Sequence, residues 1–242
     1  MLNFILSVHP VYVFGGLIGA LIGCISSYST IKEIIRIQRI PTDYVSALPS
    51  DGLVEVVGRA ECEKTLSSPL TQKNCVIWQV IVSEEVSERT NGYRSTTWIT
   101  RYKDTSEEPF TLNDGTGKIQ IHPADAKLVL HYAVNEFSGF LQSVSPQIQG
   151  ALENLGINTT GFLGLNKTLQ IREYIIEPGK QIYVLGNIGY TDGIRSIVTE
   201  ESTPLVISDR SEKELLSAFY WRLTGNIFFG ALIVIGLLFF SQ

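Results

Sequence analysis

Thiols, imidazoles and positive charge are all scarce in this sequence, and each scarcity removes a class of function. Three cysteines and three histidines, with no CxxC or HxxxH spacing among them, leave no ligand set for a structural zinc site. Cys24 falls inside an apolar stretch, so only Cys62 and Cys75 could pair, which is no disulfide framework. His122, opening an HPADA turn, and His131, following an apolar run, lack any G-x-S-x-G or Cys–His partner pattern and read as polar strand ends. Asn113-Asp114-Gly115-Thr116-Gly117-Lys118 is glycine-rich, but a strand rather than a helix follows it, so it reads as a hairpin turn and not a phosphate loop. Glu84-Glu85 and Glu107-Glu108 read as solvated loop charges. The expectation is no catalytic residue, no metal and no cofactor. Residues 41–222 carry 16 Lys+Arg against 23 Asp+Glu, a net −7, which argues against a nucleic-acid partner.

The sequence has apolar residues in excess, 44% against 18% charged, and they gather at the two ends. Residues 11–25 (VYVFGGLIGALIGCI) carry no charge, and with their flanks they form an expected transmembrane helix over 4–28. Met1 to Pro10 contain no Lys or Arg and no small-x-small cleavage site follows, so a retained anchor is expected rather than a signal peptide. Residues 223–240 (LTGNIFFGALIVIGLLFF) are uncharged, about 27 Å as a helix, and mark a second transmembrane helix over 221–240. Lys32, Arg36 and Arg39 follow the first span and Arg222 precedes the second. The positive-inside rule then puts the middle of the chain in the cytoplasm, with Cys62 and Cys75 as reduced thiols.

Gly15, Gly19, Gly23 and Ser27 recur every fourth residue, a small-residue stripe suited to close packing of another helix, from this chain, a second copy or a membrane complex. Residues 29–40 read as a basic juxtamembrane helix ended by Pro41, with Lys32, Arg36 and Arg39 on one face for anionic head groups of the bilayer.

From residue 53 the period changes to that of strands. Runs at 53–60, 75–82, 95–103, 109–112, 117–122, 169–176, 181–187, 194–199 and 204–207 alternate with Gly, Pro, Asn and Asp turns. The run at 75–82 is apolar on both faces, as in a central strand. The expected class is mainly β, a small antiparallel OB-like barrel or sandwich between two transmembrane helices. Phe137, Phe140, Leu141, Val144, Ile148, Leu152 and Leu155, spaced by three and four, suggest a helical insertion over 134–156, interrupted near Pro146. Ser211, with Glu214 three residues on, has the spacing of a capping box.

Several short motifs occur in order. They are Ser68-Pro69-Leu70 with Asn74-Cys75-Val76-Ile77-Trp78, then Leu112-Asn113-Asp114-Gly115-Thr116-Gly117-Lys118-Ile119. Glu177-Pro178-Gly179 follows with Tyr183-Val184-Leu185-Gly186, and then Leu205-Val206-Ile207-Ser208-Asp209. Between two spans, over residues 41–242, this order resembles the GIDE or BAM ("beside a membrane") domain of mitochondrial outer-membrane RING-type E3 ubiquitin ligases and their bacterial and archaeal relatives. The resemblance marks Pro69, Cys75, Asp114, Gly115, Gly117, Pro178, Gly179, Gly186, Ser208 and Asp209 as motif positions, within a soluble domain at 41–219. A RING needs about eight Cys/His ligands; the sequence holds six in all and stops at Gln242, so ligase activity is not carried over. The lack of a RING resembles the prokaryotic branch and implies a plasma membrane.

What remains is a non-enzymatic, membrane-tethered module that presents its surface to an unidentified protein partner. Because residues 112–121 also resemble a strand of OB-fold proteins, an oligonucleotide or oligosaccharide binder is the rival expectation.

Overall fold

The computed structural model describes residues 23–240, except 24, 29, 33, 36, 37, 91, 92, 140, 141, 161–165 and 202. The chain divides into two compact units, one of Thr42–Arg210 and one of Met1–Pro41 with Ser211–Gln242.

Alternating apolar residues build a closed barrel in the first unit. β1 (Gly52–Glu61), β6 (Phe110–Asn113), β7 (Lys118–Ile121), β12 (Ile194–Val198) and β11 (Gln181–Thr191) pair in that order, and β11 returns to β1 from Gly52↔Ile188 to Arg59↔Gln181. Val54, Val56, Leu112, Ile121, Val184 and Ile197 point inward and form its core. The expected small barrel is therefore present. It is not wholly antiparallel, because β7 and β12 run parallel through Ser196↔Gln120 and Ile197↔Ile121. The far edge of β11 is divided between β12 and β13 (Val206–Ser208), and β8 (Lys127–Val129) pairs parallel with β13.

Two insertions make a second layer. The first, between β1 and β6, contains the short β2 (Leu66–Ser67) and β3 (Asn74–Cys75) and the long hairpin β4 (Ile77–Thr90) and β5 (Tyr93–Thr105). The second, between β7 and β11, contains β9 (Tyr132–Ser138), the Pro146–Asn154 helix and β10 (Leu169–Ile176). Together they form a four-stranded antiparallel sheet in the order β5-β4-β10-β9. β4 is central, as its two apolar faces require: Ile77 joins the barrel core, whereas Val80 and Val82 join a second core with Leu169, Ile171, Ile148 and Leu152. The helix covers one face of this sheet.

The helical insertion expected over 134–156 is corrected by this layer. Residues 134–138 belong to β9, paired with β10 through Glu173↔Val134 and Leu169↔Ser138, and only Pro146–Asn154 is helical. Phe137 sits at an alternating position of a strand, so its spacing to Val144 carried no helical meaning. Pro146 starts the helix at its first turn, where a missing N–H costs nothing. Phe140 and Leu141 lie outside the described residues.

In the other unit, the Glu212–Phe240 helix begins with the expected capping box. Ser211 Oγ accepts from the Glu214 N–H at 3.3 Å, and the Glu214 carboxylate accepts from the Ser211 N–H at 2.8 Å. Ser26 to Tyr28 and Thr30 to Lys32 are helical. Asn226 donates to Ser26 Oγ at 3.1 Å and Gln38 donates to the Tyr220 hydroxyl at 3.1 Å, so these helical stretches run antiparallel. Among the described residues no helix is long and apolar enough to cross a membrane. Residues 4–22 of the first expected span and the side chains of 231–240 in the second lie outside the description.

Candidate functional site

Most of the motif positions fix the chain locally. Pro69 lies in a turn held by Glu173 of β10, whose fully buried carboxylate accepts from the Leu70 N–H at 2.7 Å, the Thr71 N–H at 3.2 Å and the Thr71 hydroxyl at 2.5 Å. Cys75 is buried beside this turn; desolvation first, then the Glu173 and Cys62 charges, push its thiol up to about 11. Both Cys62 and Cys75 are free thiols.

Asp114 caps the β6–β7 turn, accepting from the N–H groups of Val45 (2.8 Å), Thr116 (2.8 Å) and Gly117 (3.0 Å). Gly115 has φ +87° in that turn, and Gly117 packs against Val45. Pro178 and Gly179 form the β10–β11 turn, where the Gly179 N–H reaches the Ala60 carbonyl at 2.7 Å. At Gly186, β12 hands over to β13 along β11; a Cβ there would lie 2.7 Å from both Ile197 Cγ2 and Leu205 Cδ1. Ser208 donates to the Val129 carbonyl at 2.8 Å.

Asp209 has a different setting. It accepts from the His131 N–H at 3.1 Å and from His131 Nδ1 at 3.0 Å. A carboxylate only accepts, so Nδ1 is the donor in this contact. Lys73, Lys180 and Glu177 join this pair around an open cavity of about 280 Å³. The sequence reading of His131 as a plain strand end missed its partner, which is 78 residues away. The cavity lining contains no Ser, Thr or Cys to act as a nucleophile, and among the described residues no cluster of three or more His, Cys, Asp or Glu could hold a metal.

The uncovered face of the four-stranded sheet carries more recognition chemistry. Trp98 on β5 and Phe137 on β9 belong to opposite edges, yet their rings meet edge-to-face with centroids 6.4 Å apart, bridging β4 and β10. They remain 46% and 43% exposed. Tyr132 and Tyr174 pair at 5.1 Å at the other end of the same face. Burial raises the Tyr174 hydroxyl, with the neighbouring Tyr132 adding to it. Between the two aromatic pairs lies Arg172, whose Nη2 donates to Ser83 Oγ at 3.2 Å and whose buried Nε has no acceptor. Such a face can stack aromatic or apolar groups and hydrogen-bond an anion. Sequence reasoning missed it because Trp98 stands in a polar run and Phe137 fitted a helical spacing.

The residues expected to meet a membrane or a second helix fall in the other unit. Gly23 is described, with nothing within 4 Å of a Cβ built on it, and the helix contact passes through Ser26, next to Ser27 of the stripe. Lys32 and Arg39 are exposed, while Gly15, Gly19 and Arg36 lie outside the described residues.

A family model described as "GIDE: E3 Ubiquitin ligase" matches residues 80–240. No curated protein and no solved structure matches the chain.

Proposed function

The chain belongs to the GIDE family, and from that premise we propose that it is a membrane-tethered, non-enzymatic interaction module whose four-stranded sheet receives a protein partner at the cytoplasmic face. The observation that carries this reading is the exposed Trp98–Phe137 pair, together with Tyr132–Tyr174, on a sheet whose other face is already filled by the Pro146–Asn154 helix. Aromatic anchors of this kind supply most of the energy at protein interfaces. The anchor is supported by the uncharged residues 223–240 and by the basic residues that flank the soluble unit.

An OB-like barrel is supported by the strand connectivity, with the third and fifth barrel strands parallel. An oligonucleotide on that barrel would face the net −7 of the soluble region.

The test is extraction and protection. Full-length protein should stay in the membrane pellet through alkaline carbonate, and protease added to intact cells should spare residues 42–210. Release by carbonate, or cleavage within the barrel from outside, would end the anchored reading. An autoubiquitination assay should be blank.

A further inference from the structure

The open sheet face has a charge pattern that the domain as a whole does not. Strand register places Asn135, Arg172, Ile81 and Lys103 in one row across the four strands, and Phe137, Gln170, Ser83 and Thr100 in the next. Some cations of this unit are paired, Lys118 with Glu61 and Arg101 with Glu84, each at 2.8 Å. Arg172 and Lys103 have no carboxylate partner among the described residues. The acid closest along β4 on this face, Glu85, stands two rows from Ile81 and opposite Trp98. A domain of net −7 thus places two cations without a carboxylate partner between two aromatic pairs: Lys103 is exposed, and Arg172 is half-buried, where a charge-assisted hydrogen bond is stronger than in water.

We propose that this face binds an extended acidic segment of a protein partner, a carboxylate side chain bonding to the Arg172 guanidinium and an adjacent aromatic or apolar side chain packing on Trp98 and Phe137. The inference rests on the interaction-module reading and names its ligand chemistry. A guanidinium bonds a carboxylate strongly, and the Arg172 Nη donors not used by Ser83 or Tyr174 give it that capacity, its Nε being buried. Lys103, in the same row, serves a second carboxylate as a point charge. Single-stranded nucleic acid also stacks on aromatic rings beside arginine, but it carries a phosphate at every residue, whereas this row of the sheet holds two cations, Arg172 and Lys103.

The test uses full-length protein in nanodiscs and a fluorescein-labelled peptide, Gly-Glu-Phe-Glu-Phe-Glu-Gly, read by anisotropy. The Glu peptide should bind at least tenfold tighter than its Gln counterpart. R172Q and the surface change K103Q should each abolish that preference while circular dichroism and the melting curve stay those of the wild type. Equal affinity for the two peptides, absence of binding at millimolar peptide, an unchanged preference in both variants, or displacement of the peptide by oligo-dT would each overturn the proposal. Carbonate extraction separates the two claims: a carbonate-resistant protein without Glu preference defeats this inference alone, whereas a washed-off protein with Glu preference defeats the anchor alone.

Discussion

Asp114 shows how a single motif residue holds two distant segments. Its carboxylate joins the β6–β7 turn to Val45 in the 3-10 turn Val45–Ala47. Partial desolvation alone would raise its pKa; the hydrogen bonds from Val45, Thr116 and Gly117 outweigh that and lower it. A lowered folded pKa means that the carboxylate stabilises fully above its unfolded value of ~3.9 and ceases to do so as pH falls through the folded value. Asp114→Ala should therefore cost about 1–3 kcal/mol at pH 7, and the gap to wild type should close in acid, as read by denaturant titration. A constant gap from pH 7 to pH 2 would contradict the role given to the charge. Glycine at 186 answers to space, with Ile197 and Leu205 closing over the position where a side chain would stand. Cys75 differs from Cys62 by burial, and its raised thiol pKa makes it a poor nucleophile. Iodoacetamide at pH 8 should label Cys62 well before Cys75, with peptide mass spectrometry reading the order. Equal labelling of both thiols in the folded chain would refute the burial argument.

At the scale of elements, the four-stranded sheet owes its stability to two partners. Its inner end enters the barrel core through Ile77 and Ile176, and its middle is covered by Ile148 and Leu152 of the Pro146–Asn154 helix. The helix is short, nine residues, and helices of that length do not persist alone in water. Its amphipathic face must hold it. Leu152→Ala empties a fully buried position and should cost about 2–5 kcal/mol, measured by chemical denaturation. A loss under about 0.5 kcal/mol, the range of surface substitutions, would mean that the helix is not docked as described. The β4–β5 hairpin continues past the sheet: β10 pairs β4 only as far as Glu84, while β5 follows it to Thr90↔Tyr93. A bare two-stranded ribbon is marginal by itself, and the Trp98–Phe137 contact ties the base of this one to the opposite edge.

For the molecule, the unit of Thr42–Arg210 and the helical unit follow different physical rules. A polar side chain within an apolar helix pair gains from a hydrogen bond because lipid or apolar packing offers it nothing else. Asn226, meeting Ser26 at 3.1 Å, fits that rule. The double variant Ser26→Cys with Asn226→Cys should cross-link within one chain under copper phenanthroline, shifting the monomer band on a non-reducing gel. A product appearing only as a dimer would mean that the pairing joins two copies.

The sequence by itself determined the periods. Alternating apolar residues marked the strands to within a residue or two for β1, β6, β7 and β12 of the barrel and for β10 of the four-stranded sheet, and the Ser211–Glu214 spacing marked the helix start. These are local signals, written in neighbouring residues. It also determined the family: the motifs from Leu112 to Asp209 lie within the match over residues 80–240, while those from Ser68 to Trp78 precede it. Tertiary structure alone decided the rest. Phe137 reads equally as helix or strand until β10 supplies its hydrogen-bonding edge. His131 and Asp209 become a pair only when β13 and β8 lie side by side. Trp98, Phe137 and Arg172 form one surface because three separate segments are laid into one sheet. Register across non-adjacent strands is fixed by which side chains fill a shared core, and no window of neighbouring residues contains that information.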